Sequence, residues 1–318
     1  MKTPLTLNKP VKTKLDSKQL AGALIVLLGA VCFSSKAVIV KLAYQYHIDS
    51  VSLLALRMLF SLPFFLLIAF FSRHKEVPAV PVSVKNYLLL AFYGLMGYYL
   101  ASLFDFMGLQ YITAGLERLI LFVYPTLVVV FSRVFLGKKI TQSQYLALAL
   151  TYSGVLLVLL GDVEVQNSKH LLKGGLLVFA SAVTYALYLM GSGILIPRFG
   201  SVRFNSYAMS VAALGVFSHY LINHGGAQLL NYAPAVYGYS VLMAIVATVV
   251  PSYLIAEGIR LVGAGNAAII GSVGPISTIL LAFLFLGETV SLVQLIGTGV
   301  VLSGILLITI KKEKLVKS

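Results

Sequence analysis

Residues 114–137 read AGLERLILFVYPTLVVVFSRVFLG, and residues 264–287 read AGNAAIIGSVGPISTILLAFLFLG. Both stretches open on Ala-Gly, carry a proline at the same place and close on Phe-Leu-Gly. The match belongs to a longer one. Residues 104–160 slide onto 254–310 without a gap, a shift of 150. Gly108 falls on Gly258, Ile120 on Ile270, Pro125 on Pro275, Gln144 on Gln294, and Ser153-Gly154 on Ser303-Gly304. Apolar bias alone pairs leucines with isoleucines. It does not align a proline and several glycines, so the chain contains an internal repeat.

Composition says where these segments live. Hydrophobic residues make up 59% of the 318, against roughly 45–50% in an average soluble chain. Charged residues make up 11%, where about 25% is usual. So few charges cannot cover a soluble surface. The net charge of +14 therefore does not indicate a nucleic-acid partner, as it would in a soluble domain. The one cysteine, Cys32, excludes an intramolecular disulfide and a cysteine-based metal site. Neither a metal nor a cofactor is expected.

A spanning helix needs about 20 mostly apolar residues. Ten runs qualify: 21–44, 50–72, 86–109, 113–136, 143–161, 174–195, 205–222, 236–259, 264–286 and 290–310. The expected fold is an all-α polytopic membrane protein. Its cytoplasmic tail (1–20) precedes a five-helix repeat (21–161), a linker (162–173), a second five-helix repeat (174–310) and a cytoplasmic tail (311–318). The first run lacks a clear cleavage site and reads as a retained helix.

Lys and Arg gather in cytoplasmic connections. With the N-terminus inside, the inside segments hold Lys2, Lys9, Lys12, Lys14 and Lys18, then Arg73, Lys75 and Lys85. They also hold Arg133, Lys138, Lys139, Arg198, Arg203, Arg260 and the C-terminal Lys311, Lys312, Lys314 and Lys317. Outside connections hold Lys169 and Lys173. Both termini come out cytoplasmic. A unit of five helices is odd, so its second copy enters the membrane upside down. Lys138-Lys139 after the first Phe-Leu-Gly becomes Glu288-Thr289 after the second, as inversion requires. Inverted repeats are typical of secondary transporters, which rock one half against the other.

The residues Leu116 to Pro125 with Phe135-Leu136-Gly137, and Gly263 to Ala268 with Gly274-Pro275 and Leu284 to Glu288, resemble the drug/metabolite transporter superfamily, in particular its EamA-like branch. Gln294, Gly297 and Arg57 also fit, and the resemblance covers residues 20–310. Gly274 departs from it, as an acidic residue often precedes that proline. Lys138 departs too, where Glu is frequent. The resemblance implies ten helices, two inverted halves, a central cavity and export of amino acids, other metabolites or toxic compounds, or movement of nucleotide-linked sugars.

Charges inside spans are costly and mark function or structural pairing. Lys36, Arg57, Asp105, Glu117 and Arg118 fall toward the outer side, and Glu257 and Arg260 near the inner end of the eighth run, three apart and able to pair. Lys36, Arg57, Tyr98, Tyr99, Asp105, Arg118, Tyr124, Tyr185, Tyr188 and Asn266 are the substrate-pathway candidates. Pro125 and Pro275, expected as kinks in mid-helix, join Asp105, Glu117, Glu257 and Arg260 as gating or coupling candidates. The acids among them are the places for a coupling proton. The Ala149/Ser153 and Gly299/Ser303 spacings read as helix packing.

No phosphate-binding GxxxxGK[ST] loop is present, and no catalytic set can be assembled from His47, His74, His170, His219 and His224. The expectation is a secondary active transporter in a bacterial inner (cell) membrane, not an enzyme. It exports a small polar metabolite such as an amino acid, with the lipid bilayer and protons as partners and no nucleic acid. Alternatives are an exporter of toxic compounds and a non-transporting sensor or scaffold. Oligomeric state is not legible.

Overall fold

A computed structural model describes residues 17–71, 82–137, 139–161, 170–224, 227–271 and 273–316, and every regular element in them is helical. The helices are α1 (Ser17–Tyr44), α2 (Ser50–Phe71), α3 (Val84–Gly94), α4 (Ala101–Leu109), α5 (Ala114–Leu121), α6 (Tyr124–Leu136) and α7 (Gln142–Gly161). Then come α8 (Leu171–Phe199), α9 (Ser201–His224), α10 (Pro234–Ala244), α11 (Val250–Gly271), α12 (Gly274–Leu286) and α13 (Leu292–Val316). The charges at Lys2, Lys9, Lys12, Lys14, Arg73, Lys75, Lys138, Lys169 and Lys317 lie outside the described residues.

Among the described residues, six stretches are long and apolar enough to cross a bilayer: Leu20–Tyr44, Ser50–Phe71, Val84–Leu109, Ala114–Leu136, Leu171–Phe199 and Pro234–Ile255. Gln144–Leu160, Gly274–Leu286 and Leu292–Gly304 are shorter apolar helices. α9 carries Asn205, Ser206, Ser210, Ser218, His219 and Asn223 and is among the least apolar elements. Phe70, Phe71, Phe135, Leu160 and Phe285 are exposed on the perimeter. Water would make that surface costly, and hydrocarbon does not. The chain is an integral membrane protein.

Element bounds recur at the shift seen in the sequence. α3 begins at Val84 and α10 at Pro234; α6 spans Tyr124–Leu136 and α12 spans Gly274–Leu286. α7 begins at Gln142 and α13 at Leu292. A π-helical turn follows α3 at Leu95–Leu100 and another follows α10 at Ile245–Val249. Gly137 and Gly287 both end their helices at φ 65°, the left-handed cap that glycine adopts without a Cβ clash.

Two expectations about the helices change. Pro125 and Pro275 are not kinks within continuous helices. Each sits in the first turn of a new helix, α6 and α12, where its missing N–H costs no intrahelical bond. The breaks lie just before them, and Phe122 of the first break lies against Gly274 at the second. The eighth run does not stop at 259 either. α11 continues to Gly271, so the interruption falls later than the sequence pattern suggested.

The small-residue seam also shifts. Ala149, Ser153, Gly299 and Ser303 face outward and are exposed. α7 and α13 meet instead through Gly154, Gly297 and Gly304. A Cβ on Gly154 would fall 2.7 Å from the Gly297 carbonyl oxygen, and one on Gly304 would fall 2.8 Å from that of Ala147. In lipid, helices associate by such close packing, because burying leucine against leucine gains little over leucine against acyl chains.

α1 lies along α11 and α12, and α2 along α9 and α10. The larger core gathers Leu53, Leu54, Leu56, Phe65, Phe106 and Tyr220. This arrangement carries the polar faces of α1, α4 and α5 into the interior.

Candidate functional site

The interior charges meet where α1, α4, α5 and α12 cross. Lys36 Nζ on α1 lies 2.6 Å from Asp105 Oδ2 on α4 and 3.7 Å from Glu117 Oε1 on α5. Asp105 and Glu117 are buried, 1% and 0% exposed. Lys36 is therefore shared by two carboxylates held away from water. The arrangement is costly to bury unless the charges compensate one another or one carboxyl holds a proton. Neither Glu117 oxygen has a hydrogen-bond donor among the described residues.

Arg118, next along α5, turns to the other half of the chain. Its Nε donates to Thr278 Oγ1 on α12 (3.1 Å) and its Nη2 to Ser34 Oγ on α1 (3.4 Å). Ser34 Oγ is also 2.9 Å from the Gly274 carbonyl oxygen at the start of α12, and Thr278 Oγ1 donates to the Ser34 carbonyl. α5 is positioned from its N-terminus. Thr113 caps it by accepting from the Leu116 N–H. Glu288, from the turn after α12, accepts from the Ala114 N–H (2.8 Å) and the Gly115 N–H (3.2 Å). A carboxylate is favoured there by the helix dipole and by the unpaired amides.

Arg57 on α2 is buried, at 4% exposure. It donates from Nη2 to Ser102 Oγ (3.0 Å) and lies 5.1 Å above the Phe106 ring. A cavity of 290 Å³, lined by Lys41, Tyr44, Ile48, Leu109 and Gln110, opens about one helical turn beyond Lys36 and Asp105.

The tyrosines divide. Tyr98, Tyr124, Tyr185 and Tyr188 form one ring cluster. Its centroids are 4.8 Å apart for Tyr98 and Tyr188 and 5.0 Å for Tyr124 and Tyr185. Tyr188 donates to Tyr98 Oη, which donates to Asn205 Oδ1. The Tyr188 ring fills the space a side chain at Gly97 would need. Tyr99 is not part of this cluster and bonds His219 Nδ1 at 2.9 Å.

Glu257 is exposed on α11 and takes no part in the buried cluster. The side chains of Arg260 and Asn266 lie outside the described residues. Ser34, Ser102, Asn205, Thr278 and Glu288 were not anticipated. For Ser34, Ser102, Asn205 and Thr278, hydroxyls and amides in apolar runs were the one signal available, and such residues are also common as packing groups; Glu288 lies in a turn, where an acid is ordinary. Among the described residues, no group of three His, Cys, Asp or Glu side chains comes together for a metal.

The model of the EamA-like transporter family matches residues 20–160 and again 172–310. The chain belongs to the EamA-like transporter family. The uncharacterized transporter YcbK of Bacillus subtilis (strain 168) is 34% identical over 284 residues, covering 88% of this chain and 89% of that one. The uncharacterized inner membrane transporter YicL of Salmonella typhimurium is 24% identical, covering 92% and 96%. A solved crystal structure superposes with a TM-score of 0.60 at 17% identity, over 93% of this chain and 99% of that one. That likeness speaks to the fold alone. The protein is a membrane transporter.

Proposed function

We propose that the chain crosses the membrane ten times as two inverted five-helix repeats, 21–161 and 174–310, with both termini cytoplasmic. It exports a small polar metabolite, such as an amino acid, by alternating access. The recurrence of helix bounds at a shift of 150 supports the repeat, and the Lys and Arg asymmetry supports its inversion.

The observation that carries the reading is the buried cluster of Lys36, Asp105, Glu117 and Arg118. It joins both matched segments through Thr278 and Gly274. Rocking the halves against each other breaks or remakes those bonds, so the cluster's charge state and the transporter's orientation are linked. A proton on Asp105 or Glu117 releases part of the hold on Lys36 and biases the equilibrium between orientations. Lys36, Arg118 and the Tyr98, Tyr124, Tyr185 and Tyr188 cluster line the solute's route. The breaks at Pro125 and Pro275 supply the flexing points.

The test is efflux from liposomes containing the purified protein, with and without an imposed pH gradient. Solute flux that follows the gradient, and loses that dependence in Asp105→Asn or Glu117→Gln, supports the reading. Undiminished gradient-driven flux in both variants removes these acids from coupling.

A further inference from the structure

Among the interior cations, Arg57 stands apart. Lys36 has Asp105 and Glu117 within ion-pair distance. Arg118 has two hydroxyl acceptors, one of them on its Nε. Lys41 has Glu288. Arg57 has no carboxylate within ion-pair distance among the described residues, and Asp105 pairs with Lys36 instead. Its Nε has no acceptor. Its partners are one serine hydroxyl and the face of Phe106.

We infer that Arg57 binds the carboxylate group of the transported solute, with Ser102 beside it and Phe106 beneath it. The physical argument is one of compensation. A guanidinium taken out of water without an anion is unfavourable, whereas leucine or methionine would pack on Phe106 without that cost. Among the described residues, the cluster and its neighbour bring Lys36, Arg57 and Arg118 together with two carboxyl groups, Asp105 and Glu117, so the cations outnumber the acids. The planar fork of arginine matches a carboxylate bidentately, and the unsatisfied Nε is one edge of that fork. The inference rests on the transporter reading and deepens it. The solute must carry a carboxylate, whatever the rest of it is.

The experiment uses the full chain in liposomes and measures efflux of alanine and lactate against alaninamide, lactamide and ethylamine. The expected result is flux of the two carboxylates and exclusion of the other three. In Arg57→Lys, which keeps the charge but loses the fork, the half-saturating carboxylate concentration rises roughly tenfold or more. In Arg57→Gln the loss is larger. Thermal melting of each variant checks folding, and Arg57→Lys keeps the test valid if Arg57→Gln does not fold. Carboxylate flux with wild-type half-saturation in a folded Arg57 variant overturns the inference. So does wild-type flux of the amides or amine with the carboxylates excluded, which leaves the transporter reading standing. A folded wild-type protein that moves none of the five solutes overturns the inference for small carboxylates and the reading as an exporter of small polar metabolites with it.

Discussion

Lys36 Nζ sits 2.6 Å from Asp105 Oδ2, an ion pair that ties α1 to α4 inside the bundle, with Glu117 closing on the same ammonium from α5. Removing one member leaves a buried charge without compensation. Lys36→Met should cost about 3–5 kcal/mol. The double variant Lys36→Met/Asp105→Leu should recover a good part of that loss. A thermal-denaturation double-mutant cycle measures the coupling. Additive losses would show that the pair contributes nothing beyond its parts.

Glu288 holds the start of α5 through the Ala114 and Gly115 amides. Glu288→Ala should behave like loss of an N-cap and lower stability by about 0.5–2 kcal/mol. Amide hydrogen exchange at residues 114–117 should accelerate in the same variant while α7 and α13 are unaffected. Unchanged exchange there would mean the carboxylate does not restrain α5.

Asp49, in the turn between α1 and α2, accepts from the Val51 and Ser52 amides and caps α2. Burial pushes its carboxyl up. Hydrogen bonds from Ser52 and Val51, with the His224 ring nitrogen 3.5 Å away, outweigh that and hold it below its ordinary value. A lowered folded-state value means the carboxylate contributes stability above the unfolded value, near about 3.9, and loses it as pH falls through the folded one. Asp49→Ala should therefore destabilise by about 1 kcal/mol at neutral pH. The gap from wild type should narrow on acidification below about pH 4. Melting curves across pH for both proteins check this. A gap that widens in acid would reverse the sign.

The α7–α13 seam makes a paired prediction. Gly154→Leu has no room beside the Gly297 carbonyl and should force the helices apart. The expected loss is about 1–3 kcal/mol, as for overpacking in a tight core. Gly299→Ala on the same helix pair meets nothing within 4 Å and should change stability by less than about 0.5 kcal/mol. Equal effects from the two substitutions would contradict the register of the seam.

The path from sequence to site was legible in parts. Ala114-Gly115, Pro125 and Phe135-Leu136-Gly137 announced the repeat. The rarity of charge in apolar runs singled out Lys36, Arg57, Asp105, Glu117 and Arg118, all of which are interior or nearly so. Glu257 looked alike on the same criterion and is exposed, because a one-dimensional pattern does not say which face of α11 turns inward. The prolines were recognised, but as kinks within continuous helices, whereas each opens a new helix just after a break. Kink and first-turn positions differ only in whether the preceding residues stay helical. Ala149 and Gly299 pointed to a packing seam on the wrong face. Each step along a helix turns the side chain by about 100°, and small residues occur on several faces of α7 and α13.

The sequence by itself determined that this is a helical membrane protein with an internal repeat. So apolar a chain must satisfy its backbone within each span, and a gapless match at one shift needs no coordinates to read. Only the tertiary structure decided which charges meet. Lys36, Asp105, Glu117 and Thr278 come from four separate helices. Their distances depend on how those helices cross and rotate, and the close approach of backbones at glycine and hydroxyl positions sets that geometry. The same packing placed Arg57 beside Ser102 and Phe106 with no carboxylate within ion-pair distance among the described residues, which no reading of residue 57 alone reveals.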